Sequence, residues 1–353
     1  MPQPAVSACR LCAILLAATV AGDLAAAERA ANPTPSEWLH AMDSAFRNLN
    51  YDGEFSYYVA NHSRVRIQRR QGDRAVSVTM DVARDDKVAT FRIVHMVIDG
   101  VERERIVHLG GPRREILRTG SQVSYLLPLG EESFAEDALP AGSPTRLFMR
   151  SQDLAANYRF DFSGRTQVMG RPAVCIQVNP LDHNRYGYLL WLDEETGLLL
   201  RSELRDAYGT HLEMVQFTSL RLGDSVSANS LEPDLSGVLV QPISQGVADR
   251  PPPTVPDDWT VGWVPTGFRI TDARVHDQAR GGVHVMFNDG LATFSLFVEP
   301  APETSAEGLI SRTGATLVLS HNLAGERGGH LVTVVGEVPP ETAQRIATSV
   351  RAR

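Results

Sequence analysis

Val88-Ala89-Thr90-Phe91-Arg92-Ile93-Val94-His95-Met96-Val97-Ile98 runs into Asp99-Gly100 and then into Val101-Glu102-Arg103-Glu104-Arg105-Ile106-Val107-His108. Two apolar-rich runs joined by Asp-Gly carry the turn chemistry of a tight antiparallel hairpin, whose two central residues need positive φ. The same rhythm continues outward. Upstream, Phe55, Tyr57 and Val59 alternate, as do Val65 and Ile67 against Arg64, Arg66, Gln68 and Arg70, and then Val76, Val78 and Met80. Downstream, 113–118 and 122–127 follow with Thr119-Gly120 between them. A meander of short strands predicts an antiparallel sheet or an open half-barrel.

A helix precedes the meander. Thr34 caps it, Pro35 suits its first turn and Glu37 completes a capping box. Trp38, Leu39, Met42, Ala45, Phe46 and Leu49 recur at helical spacing, and that apolar face has to dock, most simply on the sheet. After the meander, 128–143 reads as loop and 144–156 as a second helix. Strands resume at 158–162, 173–178, 185–192, 197–204 and 211–222. Residues 229–258 carry Pro233, Pro242, Pro251, Pro252, Pro253 and Pro256 and read as an extended linker.

A smaller unit follows from Trp259. It has a hairpin around Asn288-Asp289-Gly290, a short helix at 303–311, a strand at 330–335 and a helix from Pro340 with Ala343, Ile346, Ala347 and Val350 on one face. The expected organisation is therefore a leader over 1–27, a large domain over 28–228, a linker over 229–258 and a small α+β domain over 259–353.

The 353 residues carry 34 Lys+Arg against 42 Asp+Glu, a net charge of −8, which disfavours a nucleic-acid binder. Hydrophobic residues at 43% and charged residues at 22% are an ordinary globular balance that disfavours a disordered chain. Leu11-Cys12-Ala13-Ile14-Leu15-Leu16-Ala17-Ala18-Thr19-Val20 after Arg10, with Ala25-Ala26-Ala27 beyond, has the form of a secretory signal peptide cut about after Ala27. Too short to span a bilayer, this run predicts an exported, soluble mature chain. Cys9 and Cys12 leave with the leader, so Cys175 remains without a disulfide partner in an apolar strand, a buried and inert thiol.

A search for catalytic chemistry finds none. Lys87 is the sole lysine and has no glycine-rich run before it. The ten histidines show no metal-ligand spacing, and neither Gly-x-Ser-x-Gly nor Gly-x-Gly-x-x-Gly occurs. The reading is a non-enzyme with no cofactor and no metal. A hydrolase with dispersed catalytic residues is the remote alternative.

Two other features point to binding. Residues 62–118 hold 13 Lys+Arg against 8 Asp+Glu, whereas 119–255 hold 10 against 17. Arg64, Arg66 and Arg70 share a strand face by period-2 spacing. Together with Arg113 and Arg114 they are candidates for contact with an acidic peptide or an anionic head group, set against ordinary solvated strand faces. Phe55, Tyr57, Phe91 and Tyr125 are candidates to line the concave side of a curved sheet. Core packing under the helix is the plainer reading, and an acyl-chain cavity the functional one.

The run Asp182-His183-Asn184-Arg185-Tyr186-Gly187-Tyr188-Leu189-Leu190-Trp191-Leu192-Asp193, followed by Thr196-Gly197-Leu198-Leu199-Leu200-Arg201, resembles the MucB/RseB family. The small domain resembles it too, in Trp263-Val264-Pro265-Thr266-Gly267-Phe268, Asn288-Asp289-Gly290-Leu291 and Val334-Val335-Gly336-Glu337-Val338-Pro339-Pro340. Asn50-Tyr51-Asp52-Gly53-Glu54-Phe55 and Gly111-Pro112-Arg113-Arg114-Glu115 add to the likeness, which spans most of 34–351.

The resemblance implies a large domain similar to the lipoprotein carriers LolA and LolB, an unclosed curved antiparallel sheet with covering helices. It implies a periplasmic negative regulator of an envelope-stress sigma factor. Such a protein binds the periplasmic domain of an inner-membrane anti-sigma factor and shields it from regulated proteolysis. It lets go on sensing mislocalised lipoprotein or lipopolysaccharide. The implied partners are that segment and lipid or lipoprotein acyl chains, with self-association into a homo-oligomer left open. A lipoprotein or lipid carrier is the alternative.

Overall fold

The structure, a computed structural model, describes residues 33–60, 62–71, 74–83, 86–111, 114–127, 151–234, 238–240, 254–256, 258–275, 282–301, 310–324 and 329–353. Helix α1 (Pro35–Asn48) begins as the sequence predicts. The Thr34 side chain accepts from the Glu37 N–H, and the Glu37 carboxylate accepts from the Thr34 N–H. Leu39, Met42, Ala45 and Phe46 are its buried face.

The large domain is one antiparallel sheet of 11 strands. In chain order its strands are β1 (Tyr51–Val59), β4 (Lys87–Ile98), β5 (Val101–His108), β6 (Glu115–Thr119), β7 (Gln122–Leu127), β8 (Tyr158–Val168), β9 (Arg171–Pro180), β10 (Gly187–Asp193), β11 (Leu199–Arg205), β12 (His211–Leu222) and β13 (Val238–Val240). Between β1 and β4 the chain makes a separate hairpin, β2 (His62–Gln71) with β3 (Arg74–Ala83). The spatial order is β13-β7-β6-β5-β4-β1-β12-β11-β10-β9-β8, so among the described residues β13 and β8 are the edges and the sheet is unclosed. The β4–β5 turn falls at Asp99 and Gly100, with φ of 52° and 75°, as two-residue hairpin chemistry requires.

In the small domain, a six-stranded antiparallel sheet is ordered β15 (Arg269–Val275), β16 (Val283–Asn288), β17 (Thr293–Pro300), β20 (His330–Gly336), β19 (Thr316–Leu323) and β18 (Ile310–Thr313). Helix α2 (Pro340–Ser349) packs on β19 and β20, with Ala343, Ile346 and Ala347 fully buried. A short pair, β14 (Trp259–Val261) with β21 (Val350–Ala352), completes the unit.

Several elements differ from the sequence-based expectation. Of the helix expected over 144–156, the described part, Ser151–Ala156, is a short 3-10 helix, and 144–150 lie outside the described residues. Of the helix expected over 303–311, residues 302–309 lie outside the described set. Residues 310–311 open β18, because pairing with β19 satisfies their backbone groups. β8 runs through Gly164 to Val168, with a register shift between Phe162 and Gly164. The expected linker contributes β13, which pairs with β7, and Ser230 and Asp234, which accept from the buried Arg105 guanidinium. An edge strand with open hydrogen-bonding groups and a buried cation with unfilled donors both draw that stretch onto the sheet. The leader, 1–27, lies outside the described residues.

Candidate functional site

Register fixes which side chains share the covered face of the large sheet. Residues directly opposite one another lie on the same face, so transverse rows can be traced across the strands. One row runs Phe217–Phe55–Phe91–His108 and another runs Gly53–Ile93–Ile106–Ile116–Tyr125. Tyr57 lies one step further along, between Ala89 and Val215. All four aromatic candidates therefore stand on one face, within three successive rows.

Phe55, Tyr57 and Phe91 are buried in the same apolar cluster as Leu39, Met42 and Phe46 of α1, and Tyr125 packs at its margin. Phe55 stacks on Phe91 at 5.3 Å and meets Phe217 edge-on at 6.0 Å. Phe217 comes this close because Gly53 has no side chain: a Cβ there would lie 2.9 Å from the Phe217 ring and 2.5 Å from the Ser219 carbonyl.

The arginine candidates are less gathered. Arg64, Arg66 and Arg70 occupy β2 at positions paired with Asp81, Thr79 and Ala75, and their side chains lie outside the described residues. Arg113 also lies outside them. Arg114 precedes β6, where its carbonyl accepts from the His108 N–H. Other cations of the basic stretch are spent on the opposite face of the sheet. Arg92 pairs with Asp52, and Arg105 pairs with Glu115 and Asp234.

The seam between the domains has two anchors that the sequence reading did not single out. At the first, the fully buried Arg185 guanidinium donates to Asp289 at 2.5 Å, to Asp182 at 3.0 Å and to the Thr266 carbonyl at 2.6 Å. Its plane also lies over the Tyr158 and Phe268 rings. The Tyr158 hydroxyl donates to Asp289 at 2.9 Å. Burial, then the neighbouring Asp289, pushes the Tyr158 hydroxyl far up, so it stays a donor. For Asp182, burial alone would raise the carboxyl, but the Arg185 and Asn184 hydrogen bonds outweigh it and hold the group below its ordinary value. Asp289 also accepts from the Leu291 and Ala292 N–H groups, so the turn residue of the β16–β17 loop doubles as a counter-ion for the other domain. Nearby, the Tyr186 hydroxyl donates to the Val338 carbonyl.

At the second anchor, the β18–β19 turn enters the large domain. Ala315 is wholly buried and belongs to the large domain's cluster. Its N–H donates to the Glu213 carboxylate at 2.8 Å, the Gly314 N–H donates to the Ala60 carbonyl at 2.8 Å, and the Tyr57 hydroxyl donates to Glu213 at 2.8 Å. Gly314 has φ of 59°, and a Cβ there would meet Glu213 Oε1 at 2.6 Å and Val59 Cγ1 at 2.8 Å. Glu213 thus joins a residue of the aromatic face to the tip of the small domain. Its sequence signal was a lone carboxylate two and four residues before the inward Val215 and Phe217. A cleft of about 340 Å³ opens beside the first anchor, lined among others by Asp182, His183, Arg205 and Asp206, a wall too polar for an acyl tail.

Comparison with known proteins places this architecture. Residues 65–235 match the MucB/RseB N-terminal domain and residues 253–351 the MucB/RseB C-terminal domain. The chain belongs to the MucB/RseB family. It is 33% identical over 320 residues to the sigma factor AlgU regulatory protein MucB of Pseudomonas aeruginosa, covering 90% of both chains. It is 28% identical over 334 residues to the sigma-E factor regulatory protein RseB of Escherichia coli, covering 93% and 94%.

Solved structures of MucB match about nine-tenths of this chain. The complex of Pseudomonas aeruginosa MucA and MucB matches with a TM-score of 0.69 at 29% identity, over 90% of this chain and 99% of that one. MucB in complex with MucA(peri) matches with 0.67 at 30% identity, over 91% and 99%. A further crystal structure of MucB matches with 0.57 at 30% identity, over 90% and 98%. Among the described residues, no helix is long and apolar enough to cross a membrane.

Proposed function

We propose that the chain is a periplasmic negative regulator. It binds the periplasmic segment of a membrane-anchored anti-sigma factor, shields that segment from regulated proteolysis, and releases it when mislocalised lipoprotein or lipopolysaccharide engages the large domain. The observation that carries this reading is the likeness, over nine-tenths of the chain, to MucB solved with MucA(peri). Export rests on the leader-like run at 11–20.

The geometry supports the switching step. A ligand shifts an equilibrium only by its differential affinity for two states. The face carrying Phe55, Tyr57, Phe91 and Tyr125 is tied to the small domain through Tyr57, Glu213 and Ala315. An acyl chain entering among these aromatics gains about 0.8 kcal/mol per buried CH₂. A few buried methylenes match the cost of breaking that tie. Arg64, Arg66, Arg70, Arg113 and Arg114 supply charge for an acidic stretch of the partner.

The test is capture of a single-span membrane protein's periplasmic segment by the mature chain, followed by addition of acylated lipoprotein. Binding reversed by the lipoprotein is expected. Tight handling of lipoprotein with no such segment bound would instead make the chain a carrier. Arg64→Glu with Arg66→Glu should weaken capture and its salt dependence, and unchanged values would leave those arginines as solvated surface.

A further inference from the structure

The covered face of the large sheet has one row unlike the others. Tyr51, His95, Glu104 and Arg118 stand directly opposite one another on β1, β4, β5 and β6, an unbroken polar line across four strands. It borders the apolar row Gly53–Ile93–Ile106–Ile116. Tyr51 and His95 are wholly inaccessible and Glu104 is buried. Tyr51 stacks on His95 at 4.9 Å and takes the edge of Phe46 from α1.

Three atoms of this row are buried without a hydrogen-bond partner: the Tyr51 hydroxyl, His95 Nε2 and Arg118 Nε. Each such group has given up water for no compensating bond. Their chemistry is complementary. His95 Nδ1 lies 2.8 Å from the Leu49 carbonyl, which only accepts, so Nδ1 carries the proton. Burial keeps the ring neutral, and Nε2 is then an acceptor. Tyr51 and Arg118 Nε offer donors. Glu104 and Glu102 already engage the other end of the Arg118 guanidinium, at 3.4 and 3.5 Å. With that charge spent, the row does not select a free anion. Along the row, two donors and one acceptor offer what neutral oxygens, which both accept and donate, would use.

We infer that this row is a subsite for the oxygen-bearing end of an acyl ligand, a hydroxyl above all, with the hydrocarbon laid along the neighbouring apolar rows. From Tyr51 to Tyr57 the strand advances six residues, roughly 20 Å at the usual rise per residue. The length suits a long alkyl chain. The inference rests on the acyl-binding reading above and sharpens it, because it makes the covered face selective for oxygenated chains over plain hydrocarbon.

The experiment uses the mature full chain and an environment-sensitive fluorescent acyl probe, displaced by 1-tetradecanol or by tetradecane. The parent protein is expected to bind the alcohol about tenfold more tightly than the alkane, and Tyr51→Phe with His95→Phe to bring the ratio close to one while leaving alkane affinity unchanged. Tyr51→Phe alone, which preserves the ring stack, should already lower the ratio, and near-ultraviolet circular dichroism verifies its packing. Equal affinities in the parent, or an unchanged ratio in both variants with altered stability, overturns the subsite and leaves a row that only packs. No binding of the probe to the parent protein overturns the acyl-binding reading itself.

Discussion

Arg185 has its guanidinium sealed between two domains, facing Asp182, Asp289 and the Thr266 carbonyl. Removing one partner of a buried ion pair leaves the other charged and desolvated, which costs about 3–5 kcal/mol. Arg185→Met should lower the unfolding free energy measured in urea accordingly, whereas Arg159→Met, on an exposed pair, should leave it nearly unchanged. Equal shifts would mean that the seam contributes nothing special.

Glu213 has the opposite electrostatics. Burial raises its carboxyl above the ordinary 4.5, and the bonds from Ala315 and Tyr57 only partly offset this. A raised folded-state pKa favours the protonated form, so that contribution is fully present below about pH 4.5 and is lost as pH climbs through the folded value. Glu213→Gln removes the dependence. Unfolding measured from pH 4 to pH 8 should show the variant gaining on the parent with rising pH; parallel curves would refute the assignment. Neither residue was conspicuous in the sequence. Arg185 lay in a run notable only for its family likeness, and the contact from Glu213 to Ala315 spans 102 positions that no local pattern connects.

Among the elements, those whose stability is local were legible. The Thr34–Glu37 capping box and the Asp99-Gly100 turn need only their own neighbours, and both form as read. Thr34→Ala should cost about 1 kcal/mol in thermal unfolding. β13, β15 and β19 went unread, because short or mixed runs become strands only when another strand offers its edge.

The β18–β19 turn is the element on which the seam depends most sharply. Gly314→Val sets a branched side chain at φ 59° against Glu213 and Val59, a strain of about 1–3 kcal/mol. The expected result is fast hydrogen exchange at the Ala315 amide, with amides of α2 still protected. Loss of protection in both would mean that the substitution unfolds the small domain rather than unseating its tip.

For the molecule as a whole, the fold class was readable from strand rhythm and one capped helix. How the parts meet was not readable. Asp289 is a turn residue by every local criterion, yet its second carboxylate oxygen serves Arg185 and Tyr158 of the other domain. The aromatic face was similarly half visible: period-2 spacing put Phe55 and Tyr57 together, but only cross-strand register brings Phe91 and Tyr125 beside them.

The buried seat of Ala315 makes the turn a wedge between two sheets. Withdrawing it strips the Ala315 N–H from the Glu213 carboxylate and the Gly314 N–H from the Ala60 carbonyl, and leaves the Tyr57 hydroxyl as the remaining donor to Glu213. Any parting of the small domain is therefore felt at once beside the aromatic rows.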